Sequence, residues 1–182
     1  MKELSLNILD IAENSLKAGA SLTEIIITEE QNLLTLTIKD NGHGMTDEVE
    51  KNVLNPFYTT RTTRKVGMGI PLLKLAAEQT GGSLTISSLT KEQSPLSHGT
   101  TVTAGFYKNH LDFTPLGDVI STITTLIQGH PDVDFLFLHK TENGEVKLDT
   151  RELREMLDGI PLDTYEIIKW IEGYLGEQYD LI

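Results

Sequence analysis

A carboxylate followed by two glycines suggests a small-molecule site in the segment Asp40-Asn41-Gly42-His43-Gly44-Met45. Gly42 and Gly44 can adopt backbone conformations closed to other residues and let a ligand approach the main chain, so they suit the floor of a pocket. Asp40 can accept a hydrogen bond, for example from an exocyclic amino group. An ordinary Asp-Asn-Gly turn is the alternative explanation of the same residues.

A second group of polar residues lies within residues 3–18. Asn7, Asp10, Asn14 and Lys17 recur at steps of three and four, which places them in one stripe of a helix. Two carboxamides, a carboxylate and a cation form a set suited to a metal ion and phosphates. A solvated helix face is the alternative explanation of this stripe.

A third segment is rich in hydroxyl groups and cations. Residues 55–66 contain Arg61, Arg64 and Lys65 and run directly into Gly67-Met68-Gly69, with a predicted helix immediately beyond. A helix N-terminus receives phosphate oxygens through its backbone N–H groups and its dipole. The pattern therefore predicts a phosphate-binding element at the start of this helix.

Hydrophobic periodicity predicts the elements that position these residues. Helices are expected at 3–18, 46–54 and 70–79, and strands at 22–28, 33–39, 83–89 and 100–107. Gly99-Thr100 opens the last of these strands, where a small residue and a hydroxyl can approach the ligand. Beyond residue 108 we expect a helix at 116–127, strands at 133–139 and 146–148, and two helices beginning near Asp149 and Asp163.

Composition narrows the class of protein. The chain has 182 residues, a net charge of −12 and no cysteine, which argues against nucleic-acid binding, disulfides and thiolate metal sites. Apolar runs stay short of the roughly 20 residues that span a bilayer, and the N-terminus lacks the shape of a signal peptide. We therefore expect a cytoplasmic protein without membrane contact.

Four of these features, in the same order, resemble the nucleotide-binding (Bergerat, or GHKL) domain shared by gyrase, the cytosolic heat-shock chaperone, histidine kinases and mismatch-repair ATPases. They are the polar-striped helix, Asp40-x-Gly-x-Gly, the hydroxyl-rich segment before Gly67-x-Gly69, and Gly99-Thr100. The resemblance covers residues 1–107 and implies an α+β fold, an α/β sandwich with helices on one face of a mixed sheet. Residues 108–182 are predicted to form a small α/β extension for docking a partner or a second copy. Whether this extension continues the sheet or folds beside it stays open.

The resemblance implies that ATP and Mg²⁺ bind to this part of the chain. It assigns Asn14 to Mg²⁺, Lys17 to a phosphate and Asp40 to the adenine amino group. It assigns Thr100 to a water-mediated contact with adenine and residues 55–66 to the ATP lid. The nucleotide-binding residues implied are Asn14, Lys17, Asp40, Gly42, Gly44, Met45, Phe57, Thr60, Arg61, Gly67, Met68, Gly69 and Thr100.

Asp10 departs from the pattern of the family. ATPases and anti-sigma kinases place a glutamate general base four residues before the Mg²⁺ asparagine, and aspartate is one methylene shorter, so its reach depends on a bridging water. Glu13 lies about 100° further round the helix and is a poor substitute. Many histidine kinases lack a base here, since their acceptor imidazole needs little activation.

The motifs therefore favour an ATP·Mg²⁺-binding regulatory protein of the histidine-kinase or anti-sigma-kinase type. Such a protein transfers the γ-phosphate to a separate protein partner. A slow ATPase that acts as a conformational switch and a non-catalytic nucleotide sensor are the alternatives.

The histidines show no metal-ligand spacing. We expect His43, His98, His130 and His139 to be turn, loop or strand residues. The segment beginning at His110 partly matches the phosphoacceptor motif of histidine kinases, but it follows the nucleotide-binding segment instead of preceding it. We interpret it as a linker with a chance match.

Overall fold

The computed structural model describes residues 3–55 and 69–182. Within these residues the strands are β1 (Leu22–Glu30), β2 (Leu33–Asp40), β3 (Ser83–Leu89), β4 (Gly99–Tyr107), β5 (Asp134–Lys140) and β6 (Glu145–Asp149). The helices are α1 (Leu4–Lys17), α2 (Asp47–Asn52), α3 (Gly69–Gln79), α4 (Val119–Gly129), α5 (Thr150–Leu157) and α6 (Tyr165–Tyr179). The type and order of the predicted elements are confirmed. The last helix begins after Thr164 and not at Asp163, as the acidic spacing had suggested.

The described strands form one mixed sheet in the order β3-β4-β2-β1-β5-β6. β1 pairs antiparallel with β2 on one side and parallel with β5 on the other. The extension therefore continues the sheet, which answers the question that the sequence left open. The predicted sandwich with a C-terminal α/β extension is confirmed, whereas the functional division at residues 107 and 108 stays a prediction.

One hydrophobic cluster of described residues joins the two parts of the chain. Phe106 of β4 and Phe135 and Phe137 of β5 are fully buried and belong to the same cluster as Ile8 of α1. Buried positions alternate along β2 and β4, so these strands bury one face under the helices. α1 packs between α3 and α4, and α6 packs against α4.

The extension also fixes the beginning of α1. The first N–H groups of a helix lack acceptors within the helix. Here the Leu4 and Ser5 amides donate to the Pro115 and Leu116 carbonyls, at 2.9 and 2.8 Å. The connection that leads into the extension thus anchors the helix that carries Asn14.

A polar network links the extension to β1. Glu29 accepts from Lys108 Nζ at 2.8 Å and lies 3.0 Å from His139 Nε2, while His139 Nδ1 lies 2.9 Å from the Tyr179 hydroxyl. A neutral His139 satisfies both contacts by donating to Glu29 and accepting from Tyr179. Burial lowers the pKa of His139, against the pull of Glu29, and burial raises the pKa of the Tyr179 phenol. The lowered pKa of His139 and the raised pKa of Tyr179 both favour the uncharged imidazole and the uncharged phenol.

Among residues 3–55 and 69–182 we find no helix with the length and apolar character that crossing a bilayer requires.

Candidate functional site

A cavity of about 720 Å³ opens between α1, the end of β2 and the start of α3. This volume lies in the usual range for small-molecule and cofactor sites, about 300–1,000 Å³. The predicted residues that line it are Asn14, Lys17, Asp40, Gly44, Met45, Gly69 and Thr100. Four segments far apart in the sequence thus meet at one site, as the order of motifs suggested.

Asp40 ends β2 and is the buried carboxylate of this cavity, with 9% of its surface exposed. Its Oδ1 accepts from the Gly42 amide at 2.9 Å and the Thr100 amide at 3.3 Å, and its Oδ2 accepts from the Ser15 hydroxyl at 2.9 Å. A carboxylate offers about four acceptor positions. Three are therefore used by described residues, and the fourth, on Oδ2, suits an amino group of a ligand.

Two glycines allow the backbone to come together beside Asp40. Gly44 has φ +73°, and a β-carbon there would lie 2.0 Å from the Leu89 carbonyl oxygen. Gly99 has φ +126°, and its β-carbon would lie 1.9 Å from the Asp40 carbonyl oxygen. Both positions therefore require glycine. Gly44 lets the turn after β2 approach the end of β3, and Gly99 lets the start of β4 approach the end of β2.

Gly42 lies beside the cavity through its hydrogen bond to Asp40. It was predicted to frame a purine, but it does not belong to the residues that line the cavity. Its amide instead orients the Asp40 carboxylate. His98 and His43 hold the same turn, because their Nδ1 atoms lie 2.6 Å from the Gly42 and Gly44 carbonyl oxygens, respectively.

Ser88 was not identified from the sequence, yet it connects two of the site segments. Its hydroxyl accepts from the Met45 amide at 2.7 Å and contacts the Gly99 carbonyl at 3.1 Å and the Thr100 hydroxyl at 2.8 Å. A hydroxyl donates one hydrogen bond, and Ser88 donates its own to the Gly99 carbonyl. In its contact with Thr100, Ser88 is therefore the acceptor and the Thr100 hydroxyl is the donor. Thr100 then keeps its own lone pairs for a water or ligand. Ser15 was also missed, although it directly follows Asn14.

Asn14 and Lys17 of α1 line the part of the cavity that adjoins the start of α3. A β-carbon on Gly69 would lie 3.8 Å from Asn14 Nδ2 and 3.4 Å from the Asp10 β-carbon, so the positive end of the α3 dipole adjoins both residues. Lys17 Nζ lies 3.9 Å from Glu13 Oε2, and the Lys17 side chain is 57% exposed. This combination of carboxamide, cation and helix N-terminus suits phosphate groups.

The polar stripe of α1 is narrower than the sequence suggested. Asn7 is only 2% exposed and belongs to the buried side of the helix. Asp10 is exposed and adjoins Gly69, but it does not line the cavity. α4 packs against α1, and Asn7 lies on the buried side of the helix, so the residues of the stripe that line the cavity begin beyond Asn7.

An oxygen ligand for Mg²⁺ is present in Asn14. Mg²⁺ usually keeps several waters and binds through one or two protein oxygens together with substrate phosphates. Among the described residues, no three His, Cys, Asp or Glu side chains come together as a metal site. The Asn14 carboxamide, beside the N-terminus of α3, is of a chemical type that fits a magnesium ion carried by a nucleotide.

Part of the predicted site lies outside the described residues. This applies to residues 56–66 of the hydroxyl-rich segment and to Gly67 and Met68 of the predicted phosphate-binding element. The residues concerned are Phe57, Thr60, Arg61, Arg64, Lys65, Val66, Gly67 and Met68.

Comparisons with known proteins place residues 2–110 in one family. They match the model described as histidine kinase-, DNA gyrase B-, and HSP90-like ATPase. The chain is 31% identical over 87 residues to the C4-dicarboxylate transport sensor protein DctB of Pseudomonas aeruginosa, which covers 46% of this chain and 14% of that protein. It is 31% identical over 70 residues to sporulation kinase A of Bacillus subtilis, covering 38% of this chain and 11% of the kinase. This chain thus corresponds to a small part of either relative.

Solved structures share the fold. The Aquifex aeolicus MutL ATPase domain complexed with ADP superposes with a TM-score of 0.56 at 17% identity, covering 87% of this chain and 70% of that one. The N-terminal domain of a DNA repair protein gives a TM-score of 0.58 at 18% identity, covering 82% and 53% of the two chains. The family match covers more than half of the sequence. The chain therefore belongs to the histidine kinase-, DNA gyrase B- and HSP90-like ATPase family and carries its ATP-binding domain.

Proposed function

We propose that this protein binds ATP with Mg²⁺ in the cavity and transfers the γ-phosphate to a separate protein. The observation that carries the proposal is the buried Asp40 carboxylate with its one remaining acceptor position. Adenine carries an exocyclic amino group that this position can bind. The names of the two relatives, a sensor protein and a sporulation kinase, support a kinase-type role.

The rest of the cavity suits the triphosphate. With adenine at Asp40, the phosphates extend along α1 towards Asn14, Lys17 and the N-terminus of α3. Asn14 would hold Mg²⁺, which neutralises phosphate charge when it is bound. Phosphoryl transfer depends chiefly on positioning and charge compensation, and these residues provide both.

The role of Asp10 bears on which group would accept the γ-phosphate: a hydroxyl, a water or an imidazole. Its position beside Gly69 places a carboxylate near the phosphate end, which favours activation of a hydroxyl group or a water through a bridging molecule. Slow ATP hydrolysis that drives a conformational switch is therefore the second candidate. An imidazole acceptor needs no such base, and a nucleotide sensor needs no acceptor at all.

The fate of the γ-phosphate tests the proposal. Purified protein is incubated with Mg²⁺ and γ-labelled ATP, and label is followed as free phosphate, as protein-bound phosphate and as intact ATP. At an ATP concentration close to the wild-type Kd, Asp40→Asn should strongly reduce every change that depends on nucleotide binding. Asp112→Asn is the matched control, because Asp112 is exposed and does not line the cavity. Wild-type protein that fails to bind ATP would refute the proposal.

Asp10→Asn separates the candidate reactions. Phosphotransfer that survives this change excludes base catalysis by Asp10 and favours an imidazole acceptor. Loss of turnover without loss of ATP affinity favours hydrolysis or a hydroxyl acceptor. If wild type and Asp10→Asn both bind ATP tightly and leave it intact, the protein is either a kinase that awaits its partner or a nucleotide sensor.

We also propose that the protein acts in the cytoplasm and that residues 108–182 dock the protein partner or a second copy. The absence of cysteine supports the first proposal. Light scattering with and without ATP tests for a homodimer, since a dimer doubles the mass at micromolar concentration.

A further inference from the structure

Glu13 of α1 lies between a residue of the nucleotide site and a residue of the extension. Its Oε1 lies 3.1 Å from His130 Nε2, and its Oε2 lies 3.9 Å from Lys17 Nζ. Lys17 lines the cavity, whereas Glu13 and His130 do not. The Glu13 carboxylate thus contacts both the Lys17 ammonium group, which belongs to a residue that lines the cavity, and the imidazole ring of His130, which follows α4.

His130 is in a fixed position. It follows α4, its amide donates to the Leu126 carbonyl at 3.0 Å, and its carbonyl accepts from the Val133 amide at 3.1 Å. α4 packs directly against α1. The extension therefore presents the imidazole to Glu13 from a backbone that is hydrogen-bonded on both sides.

We propose that Glu13 and His130 are positioning residues that set how strongly Lys17 contacts the phosphates of the nucleotide. The proposal rests on the function proposed above, in which Lys17 binds phosphate. A carboxylate attracts a nearby ammonium group in competition with the phosphates. The His130 hydrogen bond occupies that carboxylate and weakens its hold on Lys17, so the extension tunes ATP affinity through three side chains.

The geometry predicts opposite effects for the two residues. Glu13→Gln removes the competing charge and should raise ATP affinity about two- to threefold, the size expected for one partly exposed ion pair. His130→Ala leaves Glu13 fully available to Lys17 and should lower ATP affinity by about the same factor. His130→Gln keeps a donor and should restore the wild-type value.

Titration calorimetry with ATP and with adenosine tests this arrangement in the full chain. In a Lys17→Met background, neither Glu13→Gln nor His130→Ala should change ATP affinity. His130→Ala should also have no effect when it is combined with Glu13→Gln. Adenosine affinity should be the same in all variants, since adenosine has no phosphate for Lys17 to contact.

A matched pair on another helix supplies the control. Lys74 and Glu78 of α3 form an ion pair of the same spacing at 3.7 Å, and neither lines the cavity. Glu78→Gln should leave ATP affinity unchanged. A rise on Glu13→Gln that persists without Lys17, or a His130→Ala variant that binds ATP as wild type does, would overturn the inference. If Lys17→Met itself leaves ATP affinity unchanged, the proposed phosphate contact is wrong instead.

Discussion

The Asp40 carboxylate should distinguish nucleotides by the amino group of the base. Asp40→Asn is nearly isosteric, and its amide oxygen can still accept from the Gly42 and Thr100 amides. Its amide nitrogen then takes the place of Oδ2, where the Ser15 hydroxyl can turn to accept from it. The fold is kept, but a donor now faces the amino group of adenine.

The expected loss follows from the hydrogen bond removed. A hydrogen bond to a charged acceptor contributes about 1.5–3 kcal/mol, which corresponds to a factor of about 10 to about 150 in affinity. ATP should therefore bind to Asp40→Asn weaker by that factor. Purine riboside triphosphate, which lacks the amino group, should bind to both variants with nearly equal affinity.

Titration calorimetry with both nucleotides and both variants forms a double-mutant cycle. Thermal unfolding of each variant checks that the fold is unchanged. Equal losses for ATP and for purine riboside triphosphate would show that Asp40 acts on the shape of the cavity and not on the amino group. That result would refute the assignment of adenine to Asp40.

Three further predictions concern the fold and its site. Ser15→Ala should weaken ATP binding about fivefold, because it removes the neutral hydrogen bond, worth about 1 kcal/mol, that holds Asp40 Oδ2 in place. Calorimetry should show this loss to be smaller than that of Asp40→Asn. Gly44→Ala should lower the free energy of unfolding in urea by more than about 2 kcal/mol, because Gly44 has a positive φ and a β-carbon there would clash with backbone. Gly173→Ala should leave that free energy unchanged or raise it by up to about 1 kcal/mol, since a β-carbon there meets nothing within 4 Å. Burial lowers the pKa of His139, so the unfolded chain takes up a proton first as the pH falls below about 6.5, and stability should decrease there. Urea unfolding between pH 5 and pH 8, about the range in which histidine titrates, checks the sign, and His139→Gln should flatten this dependence.

Most of the elements were predictable because they depend on local patterns. Alternation of apolar residues in 33–39 produced β2, and apolar residues at helical spacing in 3–18 produced α1. The caps were less certain. Asp149 does cap α5, but Thr164 takes the place expected of Asp163, because a cap depends on backbone angles that spacing alone does not define.

By itself the sequence determined which residue types could bind a nucleotide, since short motifs carry their chemistry with them. Only the tertiary structure decided how these residues are held. The Ser88 hydroxyl reaches the Met45 amide across 43 positions, and His130 reaches Glu13 across 117. The parallel pairing of β5 with β1, which makes the extension part of the same sheet, likewise joins distant segments. Such contacts depend on packing of the whole chain, and one sequence contains no periodicity from which they can be inferred.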